Sequence, residues 1–391
     1  MNNLKRIPQL DALRGIAILL VIAWHYLANA EGVSPGSTLA YAQAVFRLTW
    51  SGVDLFFVLS GFLIGGILLD NRTATNYFRV FYVRRFYRIL PLYAVVLAAF
   101  YLLPLGPWLK DRAAPWWVYA TLTQNFWMAQ TGHFTPNFLN VTWSLAIEEQ
   151  FYLTLPLIIR LTPPRRLPQI ALACAVTAPL LRTALYLWHP YGAVAAYVLM
   201  PCRMDALMLG VFGAWFVRNR EGGDDLLYIV LAVTLLGIPP LVVANQGIGS
   251  PFMSTIGYSW LAVLYFSLVI VAVRRALPVF RLRLLAYTGM LAYGLYLLHQ
   301  PVRGLLQGGP AQLDYLLPAA LVVVYVLASV SWHKFEKSLI KRSHRFAYKP
   351  ALTSPTIINR VSPTERKHGN PKSERRKGNQ EFQRDPTAKK F

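Results

Sequence analysis

The strongest constraint on this chain is that its apolar residues come in runs as long as a bilayer is thick. Ten such runs fill most of the first 340 of its 391 residues, near 10–30, 44–70, 89–105, 144–160, 168–188, 193–217, 226–244, 255–273, 284–302 and 315–334. A helix needs ~20 apolar residues to cross the hydrocarbon core. Helices and closed barrels are the only structures that satisfy their own backbone there. The sequence therefore predicts an all-α, polytopic membrane bundle of about ten transmembrane helices. Only 14% of the residues are charged and 55% are hydrophobic, where a soluble domain has about 25% charged. That excludes a soluble enzyme, and it excludes disorder for the apolar part of the chain. Trp116–Met128 is short and aromatic, so it reads as an interfacial or re-entrant segment.

The basic residues are unevenly placed. Connections on one side of the runs hold sixteen Lys and Arg (Lys5 and Arg6, five between Arg72 and Arg88, Arg160, Arg165, Arg166, Arg218, Arg220, and four between Arg274 and Arg283). The other side holds three, at Lys110, Arg112 and Arg303. This bias predicts that both termini are cytoplasmic and makes 105–143 the long outer connection. From Lys341 to Phe391 there are 14 Lys and Arg against 4 Asp and Glu, a net +10 of the chain's +22. This polar segment, 341–391, is expected to be a disordered cytoplasmic tail touching anionic lipid headgroups. Nothing in it supports nucleic-acid binding. Lys5-Arg6, the first run and Ala28-Asn29-Ala30 mimic a cleavable leader, but Arg14 interrupts the run, so cleavage is not expected. Cys174 and Cys202 are too few for a disulfide framework or a four-cysteine zinc site. No metal-ligand spacing, phosphate-cradling glycine loop or nucleophile elbow is found, so no metal is expected.

Ionisable groups at membrane depth are costly and mark function or structural ion pairs. In LDALRGIAILLVIAWHY, Arg14 and His25 are eleven residues apart. At ~100° per residue they share one helix face, about 16 Å apart along the axis. They suit two ends of one long ligand; the plainer alternative is a snorkelling arginine and an interhelical histidine. Asp54, alone among Phe and Leu in the second run, needs a partner. Arg85 and Arg88 in YVRRFYRILPLY share a face and, with Arg14, form a cup suited to phosphate oxygens; ordinary positive flanking is the alternative. Glu148 and Glu149 in WSLAIEEQFYL point in different directions, and Glu148 has the depth to orient His25. Arg203 and Asp205 read as a structural pair. His299 in YLLHQP lies at the depth of His25.

LDALRGIAILLVIAWHY, GVDLFFVLSGFLIG, RRFYRILPLY, WSLAIEEQFYLTLP and YLLHQP together resemble the acyltransferase-3 family of bacterial integral membrane proteins, over roughly residues 7–335. The resemblance maps an Arg-x10-His pair onto Arg14 and His25, an Arg-x-x-Arg pair onto Arg85 and Arg88, and a WSL-x-x-E element onto Trp143, Ser144, Leu145 and Glu148. It makes residues 1–340 an acyltransferase domain. It implies transfer of an acyl group, commonly acetyl, from cytoplasmic acyl-CoA to a hydroxyl of a cell-surface or secreted saccharide. On that reading Arg14, Arg85 and Arg88 bind the donor phosphates, and His25, oriented by Glu148, is the base. Asp54, Trp143, Glu149 and His299 are left as substrate-contacting candidates. The rival from another class is a transporter or flippase for an anionic or sugar substrate, its path lined by Arg14, Asp54, Arg203 and Asp205.

Overall fold

The computed structural model describes residues 7–28, 38–103, 114–134, 138–222, 224–275, 277–307 and 317–350. Lys5, Arg6, Lys110 and Arg112, part of the 105–143 connection, and the tail from residue 351 lie outside the described residues. Every regular element among the described residues is helical. In chain order they are α1 (Pro8–Ala23), α2 (Thr38–Val45), α3 (Gly52–Asp70), α4 (Tyr77–Leu102), α5 (Trp116–Ala120), α6 (Gln124–Thr131), α7 (Trp143–Leu161) and α8 (Leu167–Trp188). They continue as α9 (Gly192–Val198), α10 (Met200–Asn219), α11 (Asp224–Leu236), α12 (Ile238–Val243), α13 (Tyr258–Arg274), α14 (Arg283–Gln307), α15 (Leu317–Ser331) and α16 (Lys337–Ser343). Among the described residues, eight helical segments are long and apolar enough to cross a membrane. α7, with 19 residues, and α14, with 25, match them in length but carry the polar groups discussed below. The chain is thus a polytopic membrane helical bundle.

Burial sorts the helices into a centre and a rim. α3 is buried on nearly every face and packs on α10. α8, α11 and α15 instead turn apolar stripes outward at helical spacing, such as Leu172, Val176 and Leu180 on α8 and Leu226, Ile229 and Val233 on α11. Exposed apolar stripes of this extent are the surface that lipid tails cover. One end of the bundle gathers the arginines. There Arg218 makes two hydrogen bonds to Asp70, at 2.8 and 2.9 Å, and ties α10 to α3. Arg72 donates to the Ile159 carbonyl at 2.9 Å. Residues 341–350, which the sequence reading places in the tail, hold this end together too. Arg84 on α4 donates to the Phe346 carbonyl at 2.8 Å, and Asn76 Nδ2 donates to the Ala347 carbonyl at 2.9 Å.

Two helix crossings have no slack. On α3 and α10, a Cβ at Gly61 would collide with the Leu207 carbonyl and one at Gly210 with the Val58 carbonyl. On α1 and α14, a Cβ at Gly289 would collide with the Asp11 carbonyl and one at Gly15 with the Leu285 carbonyl. Small residues permit such approach where no hydrophobic effect drives helices together. Gly61→Val is therefore expected to lose about 1–3 kcal/mol by overpacking. A lowered thermal midpoint of the purified protein in detergent checks this.

Trp116–Met128 does not cross the bundle. It forms the short helices α5 and α6, turned against each other at Leu122, whose φ is 55°. Buried amides pin it: Gln124 Nε2 donates to the Thr142 carbonyl at 2.8 Å, and Asn125 and Gln150 exchange hydrogen bonds of 3.1 and 2.9 Å.

Candidate active site

Five helices supply the polar lining of a cavity of about 440 Å³. α1 contributes Asp11 and Arg14, α3 contributes Ser60, α4 contributes Arg85 and Arg88, α7 contributes Ser144, Glu148 and Tyr152, and α14 contributes Tyr293 and Tyr296. The i, i+3 spacing of Arg85 and Arg88 turns both to the same side, as the sequence predicts. Phe56, Leu59 and Leu63 of α3 form an apolar wall. Trp332 and Ile340 line it as well.

The cavity concentrates positive charge. Arg14 lies 3.9 Å from Asp11. Among the described residues no carboxylate forms an ion pair with Arg85 or Arg88, and both guanidiniums lie over aromatic rings. Arg85 sits 5.8 Å from the Tyr152 centroid, and Arg88 sits 5.9 Å from Tyr293 and 5.6 Å from Trp332. The three arginines repel one another, and a polyanion relieves that repulsion through bidentate contacts. Glu148 lies beside Ser60 and within electrostatic reach of Arg14 and Arg85, and the Ser60 hydroxyl bonds to the Tyr152 hydroxyl.

At the far end of the cavity the Tyr296 hydroxyl hydrogen bonds to the Ser144 hydroxyl at 2.6 Å. One turn beyond Tyr296 stands His299, its ring 5.9 Å from that of Tyr296. His299 is fully buried and meets His25, with Nε2 of His299 3.3 Å from Nδ1 of His25. Tyr26 donates to the His299 carbonyl at 2.8 Å. Arg303 is within electrostatic reach of both imidazoles. His25 and His299 do not line this cavity; Tyr296 does, and its ring lies beside that of His299.

α1 ends at Ala23, and the next turn, Trp24–Ala28, winds as a π-helix. Arg14 lines the cavity, and His25, in that π turn, meets His299 of α14, the helix whose Tyr293 and Tyr296 line the same cavity.

Other expected placements change as well. Glu148 does not orient His25. Among the described residues the polar neighbours of the His25 ring are Val21, His299 and Arg303, whereas Glu148 belongs to the arginine cavity. Glu149 points elsewhere, within electrostatic reach of Arg85 and outside the cavity lining. Asp54 is fully buried in an ion pair with Arg203, and so is not available to a substrate. Arg203 is not paired with Asp205, which takes Arg182 at 2.9 Å and the Ser259 hydroxyl at 2.6 Å. Arg182 was missed in the sequence, although a lone arginine inside an apolar run is itself a signal. Trp143 is buried against Tyr197, with centroids 4.5 Å apart, and against Phe57 at 6.2 Å. It is a core side chain here and presents no face for a sugar ring.

A family model described as an acyltransferase domain matches residues 7–332. The peptidoglycan O-acetyltransferase OatA of Listeria monocytogenes is 26% identical over 326 residues, covering 76% of this chain and 49% of that protein. The O-acetyltransferase OatA of Staphylococcus aureus is 24% identical over 390 residues, covering 90% of this chain and 60% of that protein. The chain thus spans about half to three fifths of the length of these relatives. No solved structure matches it.

Proposed function

We propose that this chain, which belongs to the acyltransferase-3 family, is an integral membrane O-acyltransferase that moves an acyl group, acetyl above all, from acyl-CoA to a saccharide hydroxyl. The enzyme sits in a bacterial cytoplasmic membrane with both termini inside, and its acceptor is a cell-surface or secreted glycan. The observation that carries the reading is one arrangement. Three arginines line a single cavity whose far end, Tyr296, touches the ring of a histidine paired with His25.

In this reading the guanidiniums of Arg14, Arg85 and Arg88 hold the donor phosphates, and the apolar wall of α3 suits the narrow arm that carries the thioester. Displacement of the Tyr296–Ser144 contact lets the thioester reach His25. His25 takes the proton of the acceptor hydroxyl, the oxygen attacks the thioester carbonyl, and a C–O bond forms as the C–S bond breaks. The proton held by His25 passes to the departing thiolate. Positioned base help of this kind contributes about 10²–10⁴-fold.

The purified chain incubated with radiolabelled acetyl-CoA and cell-envelope glycans tests the reading. Label in the glycan, without a membrane potential, is the expected result. Substrate movement across vesicles without acyl transfer overturns it in favour of a transporter. The double variant Arg85→Ala with Arg88→Ala is expected to raise the apparent KM for donor by 10-fold or more, at about 1.4 kcal/mol for each factor of ten, and to leave acceptor KM within about twofold. A change in acceptor kinetics alone sinks the assignment of the arginines to the donor.

A further inference from the structure

We infer that His299 is the positioning residue for His25, filling from α14 the place that a carboxylate usually fills behind a catalytic imidazole. The inference rests on His25 acting as the base, and it goes further by assigning the protons of the pair.

The assignment starts from backbone carbonyls. Nδ1 of His299 faces two of them, Tyr296 at 2.8 Å and Leu295 at 3.2 Å. A lone pair there would meet two lone pairs, so Nδ1 carries the proton and Nε2 of His299 is an acceptor. That acceptor is 3.3 Å from Nδ1 of His25, which also has the Val21 carbonyl at 2.9 Å. Two acceptors converge on this nitrogen, so it too carries a proton. The neutral ring then has its lone pair on Nε2, the only nitrogen left for the acceptor hydroxyl. Val21 belongs to the same helix as His25, so it fixes the tautomer but holds the ring from one side only. His299 comes from another helix and fixes where the ring points.

A neutral partner suits this site. Proton uptake puts a positive charge on His25, and its Nδ1–H then bonds more strongly to both acceptors. Uptake by His299 would instead aim an N–H at an N–H. The proton taken up therefore resides on His25. Tyr26 braces the arrangement by donating to the His299 carbonyl at 2.8 Å.

Two substitutions and one spectrum test this. His299→Phe keeps a ring but removes the acceptor; kcat is expected to fall about 10²-fold, the low end of what a positioned base supplies, with donor KM unchanged within about twofold. His299→Gln offers an amide oxygen to His25 and an N–H to the Tyr296 carbonyl, and is expected to keep activity within about fivefold of wild type. Nitrogen NMR of histidine-labelled wild-type protein, with the His25 signals identified by their loss in His25→Ala, is expected to show a protonated Nδ1 and a bare Nε2. Full activity in His299→Phe, equal damage in His299→Gln, or a protonated Nε2 on neutral His25 each overturns the inference. If His25→Ala itself remains active, the base assignment fails. If His25→Ala is dead while His299→Phe is not, the positioning role alone fails.

Discussion

Replacement of His25 by alanine is expected to abolish acyl transfer, a loss of at least about 10²-fold and up to about 10⁴-fold, while the protein still inserts and folds. The ring is only partly buried, and it lies beyond the tight crossing of α1 with α14 at Gly15 and Gly289. Its loss therefore removes chemistry and little packing. Label transfer from acetyl-CoA measures the first, and the thermal midpoint in detergent measures the second; near-normal turnover sinks the catalytic role. The wild-type rate is expected to fall on acidification. The base works through an imidazole lone pair, and a proton that fills this lone pair removes the base. Both direct attack and an acyl-histidine intermediate need the neutral ring. A burst of enzyme-bound label after rapid quenching marks the second route.

Arg203→Met is expected to be the most destabilising single change, costing about 3–5 kcal/mol. It strands the Asp54 carboxylate, and both side chains of the pair are fully buried. It also empties a pocket of aromatic rings, with Tyr258 4.1 Å and Tyr197 5.4 Å from the guanidinium. Adding Asp54→Leu to Arg203→Met is expected to recover much of the loss, because replacing both ions with apolar groups removes the uncompensated charge. Thermal unfolding of the two variants checks the difference. An unchanged midpoint in Arg203→Met with altered substrate movement would place the pair on a transport path and revive the rival reading.

The bundle was legible because bilayer length is written directly into the chain. Apolar runs at 168–188 and 226–244 became α8 and α11, whose outward stripes needed no knowledge of neighbours. Local spacing also survived: Arg85 with Arg88, and the divergence of Glu148 from Glu149, depend on one turn of helix. What failed depended on longer range. Arg14 and His25 sit in turns that wind differently, and only Arg14 lines the cavity. The partner of His25 lies 274 positions away, and that of Asp54 lies 149 away. Depth along the membrane limits which groups can meet, but many side chains share a depth, and only packing chooses among them. Glu148 had the right depth and the wrong neighbours. Arg182 was counted with neither the loops nor the spans, though its burial beside Asp205 completes the second ion pair.

The glycine crossing of α1 and α14 has a consequence for how substrates get in. With the Asp11 carbonyl seated where Gly289 would carry a Cβ, and the Leu285 carbonyl likewise against Gly15, these two helices are riveted together below their histidines. Like scissor blades locked at the pivot, they hand a fixed gap to their tips. α4 and α7, which line the same cavity, carry Pro91 and Pro156 within their lengths, and α14 carries Pro301 beyond the crossing; helices bend at such residues. Widening of that cavity is therefore expected where the prolines lie and not at the glycine crossing.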